Sequence, residues 1–353
     1  MRILAINPGG TSTKIAVYEG KELLFKKSVD HSAEDLKNFE RVFDEYEYRR
    51  NLIIEALKEE NVEVSSLSAV AGRGGLLKPI EGGTYAVNDI MIDDVRNAIN
   101  GEHASNLGCV LARNIADEVG VPSFVVDPVS VDEFEPASRV TGITDLEKAS
   151  WLHSLNQKAV CRKTAEKLGK KYEELNLIVA HLGSGISLAA HRRGKAVDGG
   201  GARVDGPFSP ERSGGLPTYP LIKLCYSGKY TYEEMVAKVS TIGGMYDYLG
   251  TKDLRKIEEM IDEGNDKAKL VLDAFVQQTA KEIGAYATVL CGDVDRIIIT
   301  GGIAYSARIV KMIEDRVKFI ASVEVIPGEM ELEALAMGAL RVLTKEEETK
   351  EYM

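Results

Sequence analysis

The stretch Ile3-Leu4-Ala5-Ile6-Asn7-Pro8-Gly9-Gly10-Thr11-Ser12-Thr13-Lys14-Ile15-Ala16-Val17 has a grammar that returns half a chain later. The second copy is Ile178-Val179-Ala180-His181-Leu182-Gly183-Ser184-Gly185-Ile186-Ser187-Leu188-Ala189-Ala190. In both, an apolar run predicts a strand, a glycine turn carrying small hydroxyl residues follows, and a second apolar run predicts the returning strand. Glycine lets a backbone approach an anion closely, and the N–H groups and hydroxyls of such a turn can hold phosphate oxygens. Two copies predict a duplicated α/β domain with the phosphates of a nucleotide held between the halves.

Composition is consistent with that reading. A chain of 353 residues predicts two domains, each large enough for its own core. Apolar content of 44% and charged content of 28% are those of a globular protein. The net charge of −11 argues against nucleic acid or an anionic membrane as the main partner, so an anionic substrate must meet a local basic cluster. Cys109, Cys161, Cys225 and Cys291 form no CxxC pair and read as buried free thiols of a reducing compartment. The chain opens on a strand and has no apolar run of bilayer length. A cytoplasmic location is the expectation.

Around the two turns, strands are expected at 21–28, 68–71, 122–126, 296–300 and 322–326. Helices are expected at 34–60, 89–100, 106–119, 154–168, 218–226, 231–239, 253–262, 266–290 and 304–319, with a last one from 331. Residues 198–217, dense in Gly, Pro, Arg and Asp, read as a long loop, of a length that is usually functional or disordered. Strand 296–300 followed by Gly301-Gly302 and a helix is an arrangement that aims a helix N-terminus at a ligand.

There is no GxxxxGK[ST], GxSxG or HExxH motif, and the five histidines lack metal-ligand spacing. Asn7, Arg73, His103, Asp127, His153, His181 and Arg212 all fall in turns or at element ends, where reacting groups usually sit. Each also has a plain structural reading. A histidine beside a glycine turn is more often a hydrogen-bonded scaffold residue than a catalyst, and a loop arginine is usually solvated. Asp127 reads equally as a Mg²⁺ ligand, an arginine partner or a turn cap. Glu329, Glu331 and Glu333 would ordinarily be a solvated helix start.

The motifs decide between these readings. Asn7 to Lys14 together with His181-Leu182-Gly183-Ser184-Gly185 resembles the acetate and butyrate kinase family, within the superfamily of sugar kinases, actin and heat-shock chaperone ATPases. Ala71-Gly72-Arg73-Gly74-Gly75-Leu76-Leu77, His153-Ser154-Leu155-Asn156-Gln157-Lys158-Ala159 and the run from Asp198 through Arg212-Ser213-Gly214 are similar to its butyrate kinase branch rather than its acetate kinase branch. The resemblance spans residues 2–343. It implies two actin-like (ribonuclease H-like) domains with mixed sheets flanked by helices and an interdomain cleft that closes over MgATP. The expected division is 1–150 plus 333–353 for the acyl and phosphate-binding domain, and 151–332 for the nucleotide-binding domain.

The implied reaction is reversible transfer of phosphate from ATP to butanoate, giving ADP and butanoyl phosphate. By the same resemblance Arg73 holds the carboxylate, Arg212 stabilises the transferring phosphoryl group, and Asp127, His153 and His181 complete the catalytic set. Asn7, Gly9, Gly10, Thr11, Ser12, Gly74, Gly75, His103, Gly183, Ser184 and Gly185 bind substrate or phosphate. Gly301, Gly302 and Ile303 form the adenosine turn, and Glu331 (or Glu329) with Asn7 serves Mg²⁺. The partners are ATP or ADP and a short-chain carboxylate or acyl phosphate, and a homodimer or larger homo-oligomer is implied. A carboxylate, with a reference pKa of about 4, needs no general base at neutral pH, so only charge neutralisation around the phosphoryl group is required. Gly74 and Gly75, standing where acetate kinases carry two valines, predict room for a longer acyl tail. Two alternatives are a kinase of another short or branched acid, and a non-catalytic nucleotide-driven protein of the actin or chaperone kind.

Overall fold

The computed structural model describes residues 1–201 and 205–353, which form two compact units. The first comprises Met1–Asp132, Ser154–Ala159 and Met330–Met353; the second comprises Glu133–His153 and Val160–Glu329. These seams differ from the expected division, which switched at 150 and returned at 333. The chain leaves the first unit before the short helix Pro136–Arg139, rejoins it over Ser154–Ala159 and returns to it finally just ahead of the last helix.

The first unit holds strands β1 (Arg2–Pro8), β2 (Ser12–Glu19), β3 (Glu22–Asp30), β4 (Ala69–Gly72), β5 (Thr84–Ala86) and β6 (Ser123–Val126), in the order β3-β2-β1-β4-β6-β5. β1 to β3 are antiparallel, whereas β1, β4 and β6 run parallel. The second unit holds β7 (Asn176–Leu182), β8 (Ile186–Arg192), β9 (Lys195–Gly201), β10 (Arg296–Gly301) and β11 (Val323–Pro327), in the order β11-β10-β7-β8-β9. Here too the first three strands are antiparallel and the crossover strands parallel. The same five-strand order is thus built twice, with β5 an added antiparallel edge in the first unit.

Each central strand is buried on both faces, which is why it reads as a continuous apolar run. In the first unit, helices Tyr46–Glu59 and Leu107–Val119 cover one face with Ile53, Leu57, Leu107, Leu111 and Ile115. Helix Glu331–Leu343 covers the other face through Leu332, Leu335, Ala336 and Ala339. Gly338 lets that helix come close, since a Cβ there would lie 2.5 Å from Val126. In the second unit, helices Asp266–Val289 and Ala307–Val317 pack Phe275, Val276, Ile283, Ile309 and Ile313 against β7, β8 and β10.

Several expectations are corrected. The helix expected over 34–60 is broken into Ala33–Leu36, a 3₁₀ turn at Val42–Glu45 and Tyr46–Glu59. The glycine run expected to begin a loop at 198 is the end of β9, leaving 205–217 as loop; residues 202–204 of that expected loop lie outside the described residues. The helix expected at 304–319 begins as the 3₁₀ turn Gly302–Tyr305 and becomes α-helical only over Ala307–Val317. Cys109 and Cys161 are buried free thiols as expected, but Cys225 and Cys291 are exposed. Among the described residues, no helix is long and apolar enough to cross a membrane.

Candidate active site

In the first unit, three side chains distant in sequence meet at the ends of their elements. Asn7 ends β1, and Arg73 follows β4, its N–H continuing the ladder to Ile6 O at 2.9 Å. Glu331 opens the last helix, whose preceding residue Met330 donates its N–H to Asn156 Oδ1 at 2.8 Å. Arg73 Nη1 lies 2.9 Å from Glu331 Oε1 and donates to Asn7 Oδ1 at 3.3 Å. Asn7 Nδ2 in turn donates to Glu331 Oε2, which fixes the orientation of the amide. The Glu331 side chain is 12% exposed and that of Arg73 26%, so this is a partly desolvated ion pair within reach of solvent.

The first glycine turn leaves β1 beside Asn7. Gly9 N–H closes it onto Ser12 O at 2.7 Å, Gly10 and Thr11 are exposed, and a side chain at Gly10 would meet open space. Behind the turn lie residues that sequence reasoning missed. Arg49 is 1% exposed and contacts Gly9 O, Gly10 O, Thr13 Oγ1 and Glu45. His31 Nε2 lies 2.8 Å from Thr13 Oγ1. Burial, and then the charge of Arg49, push the His31 imidazole down to about 4, with Asp30 opposing. The available signal was periodic: Arg49 shares the inward stripe of Ile53, Ala56 and Leu57.

Asp127 is fully buried at a left-handed φ of 38°, where it takes the Gly83 N–H on Oδ1 at 2.8 Å. His103 caps the 3₁₀ turn Ala104–Asn106, its Nδ1 accepting the Ser105 N–H at 3.2 Å. Gly74 and Gly75 leave no room of the kind expected. A Cβ on Gly74 would lie 2.4 Å from Pro128 Cβ, and one on Gly75 2.0 Å from Asn106 Oδ1 and 2.6 Å from that residue's backbone. Both missing side chains would point into protein, so the inference that they open space for an acyl tail is overturned. Gly75 lets the start of helix Leu107–Val119 close on the Arg73 segment, where Asn106 Oδ1 accepts the Leu76 N–H and Gly108 meets Arg73 O, while Gly74 lets Val125 and Pro128 approach.

In the second unit, His181 near the end of β7 is 1% exposed and stacks on His153, with ring centroids 4.0 Å apart and planes 9° from parallel. Ser187, opposite His181 on β8, takes the His153 N–H at 3.1 Å and hydrogen-bonds His153 Nδ1 at 2.7 Å. Gly183 N–H closes the turn onto Gly185 O at 3.0 Å, with Ser184 at its tip. Arg212 and His153 flank it: a Cβ on Gly185 would lie 2.9 Å from Arg212 Nη1 and 3.4 Å from His153 Nε2. Arg212 Nε is buried without a hydrogen-bond partner, and among the described residues no carboxylate pairs with this guanidinium.

The Arg212 loop is nevertheless firmly held. Ser209 Oγ accepts the N–H groups of Glu211 and Arg212, and Ser209 N–H returns to Arg212 O. Glu329 Oε1 lies 3.9 Å from His181 Nε2, whereas Glu331 belongs to the Asn7 group. Gly301, at φ 89°, packs on Leu182 O and exchanges backbone hydrogen bonds with Gly328; Ile303 is buried, and Gly302 faces open space.

Each unit thus offers a glycine turn with an arginine and polar side chains beside it, a set that suits an anionic group. The family model described as "Acetokinase family" matches residues 151–348. Butyrate kinase 1 of Clostridium acetobutylicum is 52% identical over 352 residues, with 99% of each chain covered. The crystal structure of Porphyromonas gingivalis acetate kinase superposes with a TM-score of 0.80 at 18% identity, covering 97% of this chain and 99% of that one. Entamoeba histolytica acetate kinase gives 0.75 at 18% identity, with 96% and 98% covered, which at such identity speaks for the fold alone. With the duplicated fold, the family model and a full-length relative all in agreement, the chain belongs to the acetokinase family.

Proposed function

We propose that the protein is an ATP-dependent butanoate kinase, making butanoyl phosphate and ADP reversibly. The observation that carries this is the 52% identity, over nearly the whole of both chains, to a butyrate kinase. A butanoate oxygen attacks the γ-phosphorus of ATP, the bond from that phosphorus to the β,γ-bridging oxygen breaks, and no proton changes hands. The chemistry therefore asks the protein for positioning and charge neutralisation only.

Arg73 binds the butanoate carboxylate, which takes the place of Glu331 on the guanidinium. Arg212, without a carboxylate partner among the described residues, neutralises the transferring phosphoryl group beside the Gly183–Gly185 turn. His153 and His181 donate to phosphoryl oxygens, and Gly10, Thr11 and Ser12 offer N–H and hydroxyl donors. Asp127 acts through the turn that it holds to Gly83. Gly302 and the 3₁₀ turn after it receive the adenosine.

Glu331 would hold Mg²⁺, with Asn7 Oδ1 as a neighbouring donor. These are hard oxygen donors, and among the described residues no three His, Cys, Asp or Glu side chains could cage an ion. That set suits Mg²⁺, which keeps several waters and binds through one or two carboxylates together with phosphates. When bound, it offsets the negative charge of the ATP phosphates. Glu329, directed toward His181, is the weaker choice.

The protein works in the cytoplasm, where ATP is at hand, as a homo-oligomer. Helix Thr218–Cys225 supports assembly: it buries none of its residues and exposes Tyr219, Ile222 and neighbouring Tyr226. Light scattering should return at least a dimeric mass. The enzymatic reading is tested by acyl-hydroxamate formation with acetate, propanoate, butanoate and isobutanoate. The expected result is the highest kcat/KM with butanoate. A clear preference for another acid moves the substrate assignment, and no product from any of the four overturns the kinase reading.

A further inference from the structure

Arg49 is assigned no part in the reaction by any motif, yet its guanidinium is almost fully buried directly behind the first glycine turn. All five of its N–H donors can be accounted for. Nη1 donates to Gly9 O at 2.7 Å and to Thr13 Oγ1 at 3.3 Å; Nη2 donates to Gly10 O at 3.2 Å. Nε and Nη2 meet Glu45 Oε2 at 2.8 and 2.6 Å. A buried arginine on a carboxylate could be mere scaffold, but the two glycine carbonyls are the informative partners.

In a trans peptide the N–H points opposite to the C=O of the same unit. The Gly9 carbonyl shares its peptide with the Gly10 N–H, and the Gly10 carbonyl shares its peptide with the Thr11 N–H. Drawing both carbonyls inward onto one cation therefore turns both N–H groups outward, toward the exposed side of the turn. Glycine has the backbone freedom to turn either way, so something outside the turn must fix its direction. We propose that Arg49 is a positioning residue for phosphate binding: its fork holds the Gly9 and Gly10 carbonyls so that the N–H groups of Gly10 and Thr11 face the phosphate. This rests on the reading of the first turn as a phosphate cradle. Lysine, a point charge without a planar fork, reproduces only part of the arrangement.

The test separates holding the fold from aiming the turn. Truncating Arg49 alone strands Glu45, whereas replacing both members of a buried ion pair by apolar residues is often neutral for stability. The full-length double variant Arg49→Met with Glu45→Leu is therefore compared with Arg49→Lys and with Thr11→Pro, which deletes one of the N–H groups itself. Melting temperature, KM for ATP, KM for butanoate and kcat are measured for each. The expected result is a double variant that melts near wild type with kcat/KM for ATP reduced at least about thirtyfold, while KM for butanoate moves less than threefold. Arg49→Lys should lie between it and wild type.

A folded double variant with kcat/KM for ATP within threefold of wild type overturns the role of Arg49. If the double variant does not fold, Arg49→Lys decides on the same threefold criterion. Wild-type kinetics in Thr11→Pro overturns instead the reading of the turn on which the proposal stands.

Discussion

The two glycine turns descend from the same strand-turn-strand plan but are equipped in opposite ways. The first is committed: Arg49 is engaged with Glu45 and two carbonyls, and Arg73 with Glu331 and Asn7. The second has Arg212 beside it with no carboxylate partner among the described residues, and two histidines stacked against each other. A committed arginine is positioned by the fold before any substrate arrives and must exchange partners to bind one. On the proposed reading, an uncommitted arginine would present its full charge to the phosphoryl group. The first arrangement favours orientation and selection, and the second favours stabilisation of developing charge.

The largest test of this contrast is Arg212→Ala. It should lower kcat by at least about a thousandfold, the range for an arginine at a transferring phosphoryl group, and leave the melting temperature nearly unchanged because no carboxylate is orphaned. A loss below tenfold would remove Arg212 from that role. Gly75→Val comes next and should act on the fold rather than on acyl preference. Its side chain would meet the Asn106 backbone, at a cost of at least about 3 kcal/mol. A stable variant with altered preference between acetate and butanoate would restore the pocket interpretation rejected above.

Arg73→Ala should reduce kcat/KM for butanoate roughly a hundredfold, as befits loss of a charge-assisted contact, with KM for ATP little changed. Glu331→Gln should have a smaller and opposite effect on binding. Measured by calorimetry without added metal, butanoate affinity should rise about tenfold, because Arg73 no longer has a built-in carboxylate competing for it. Unchanged affinity would mean that the Arg73–Glu331 pair does not govern substrate entry.

The smallest effect concerns pH. His31 is neutral in the folded protein down to about 4, whereas an unfolded histidine takes up its proton near 6.5. Protons therefore bind the unfolded chain first. The stability conferred by neutral His31 is complete above about 6.5 and shrinks as pH falls toward 4. Between pH 7 and 5.5 the loss should be about 1 kcal/mol. His31→Gln should show a shallower decline in melting temperature over that window, and an identical slope would exclude His31 as its source.

The duplicated strand-turn-strand plan was legible because the central strands are continuous apolar runs and the turns between them are glycine-rich. β9 was not, since Asp198-Gly199-Gly200-Gly201 looks like loop. In the fold Gly199 lets the strand lie against Leu188, Ala189 and Leu152, and Gly200 lets Asp205 and Tyr286 approach, a closeness that only the assembled neighbours require. The site divides similarly. Arg73, Arg212 and the histidines were singled out by family motifs, while Arg49, Asn106, Ser187 and Ser209, which brace the segments carrying the candidate residues in their own units, carry no motif. Glu331 joins Asn7 from the far end of the chain, so no local pattern could have paired them. Gly75 was misread because one sequence letter cannot say whether a missing side chain faces ligand or protein.

The hairpin that carries the first turn has a further consequence for variation among related chains. Its ladder pairs Asn7 with Lys14 and Pro8 with Thr13, and Thr13 is the residue that Arg49 and His31 grip from behind. Adding or removing one residue between them would send Thr13 to the opposite face of the sheet. The turn should therefore accept changes of letter far more readily than changes of length. In a library that varies both, surviving members should spell the loop in many ways and nearly all keep its count.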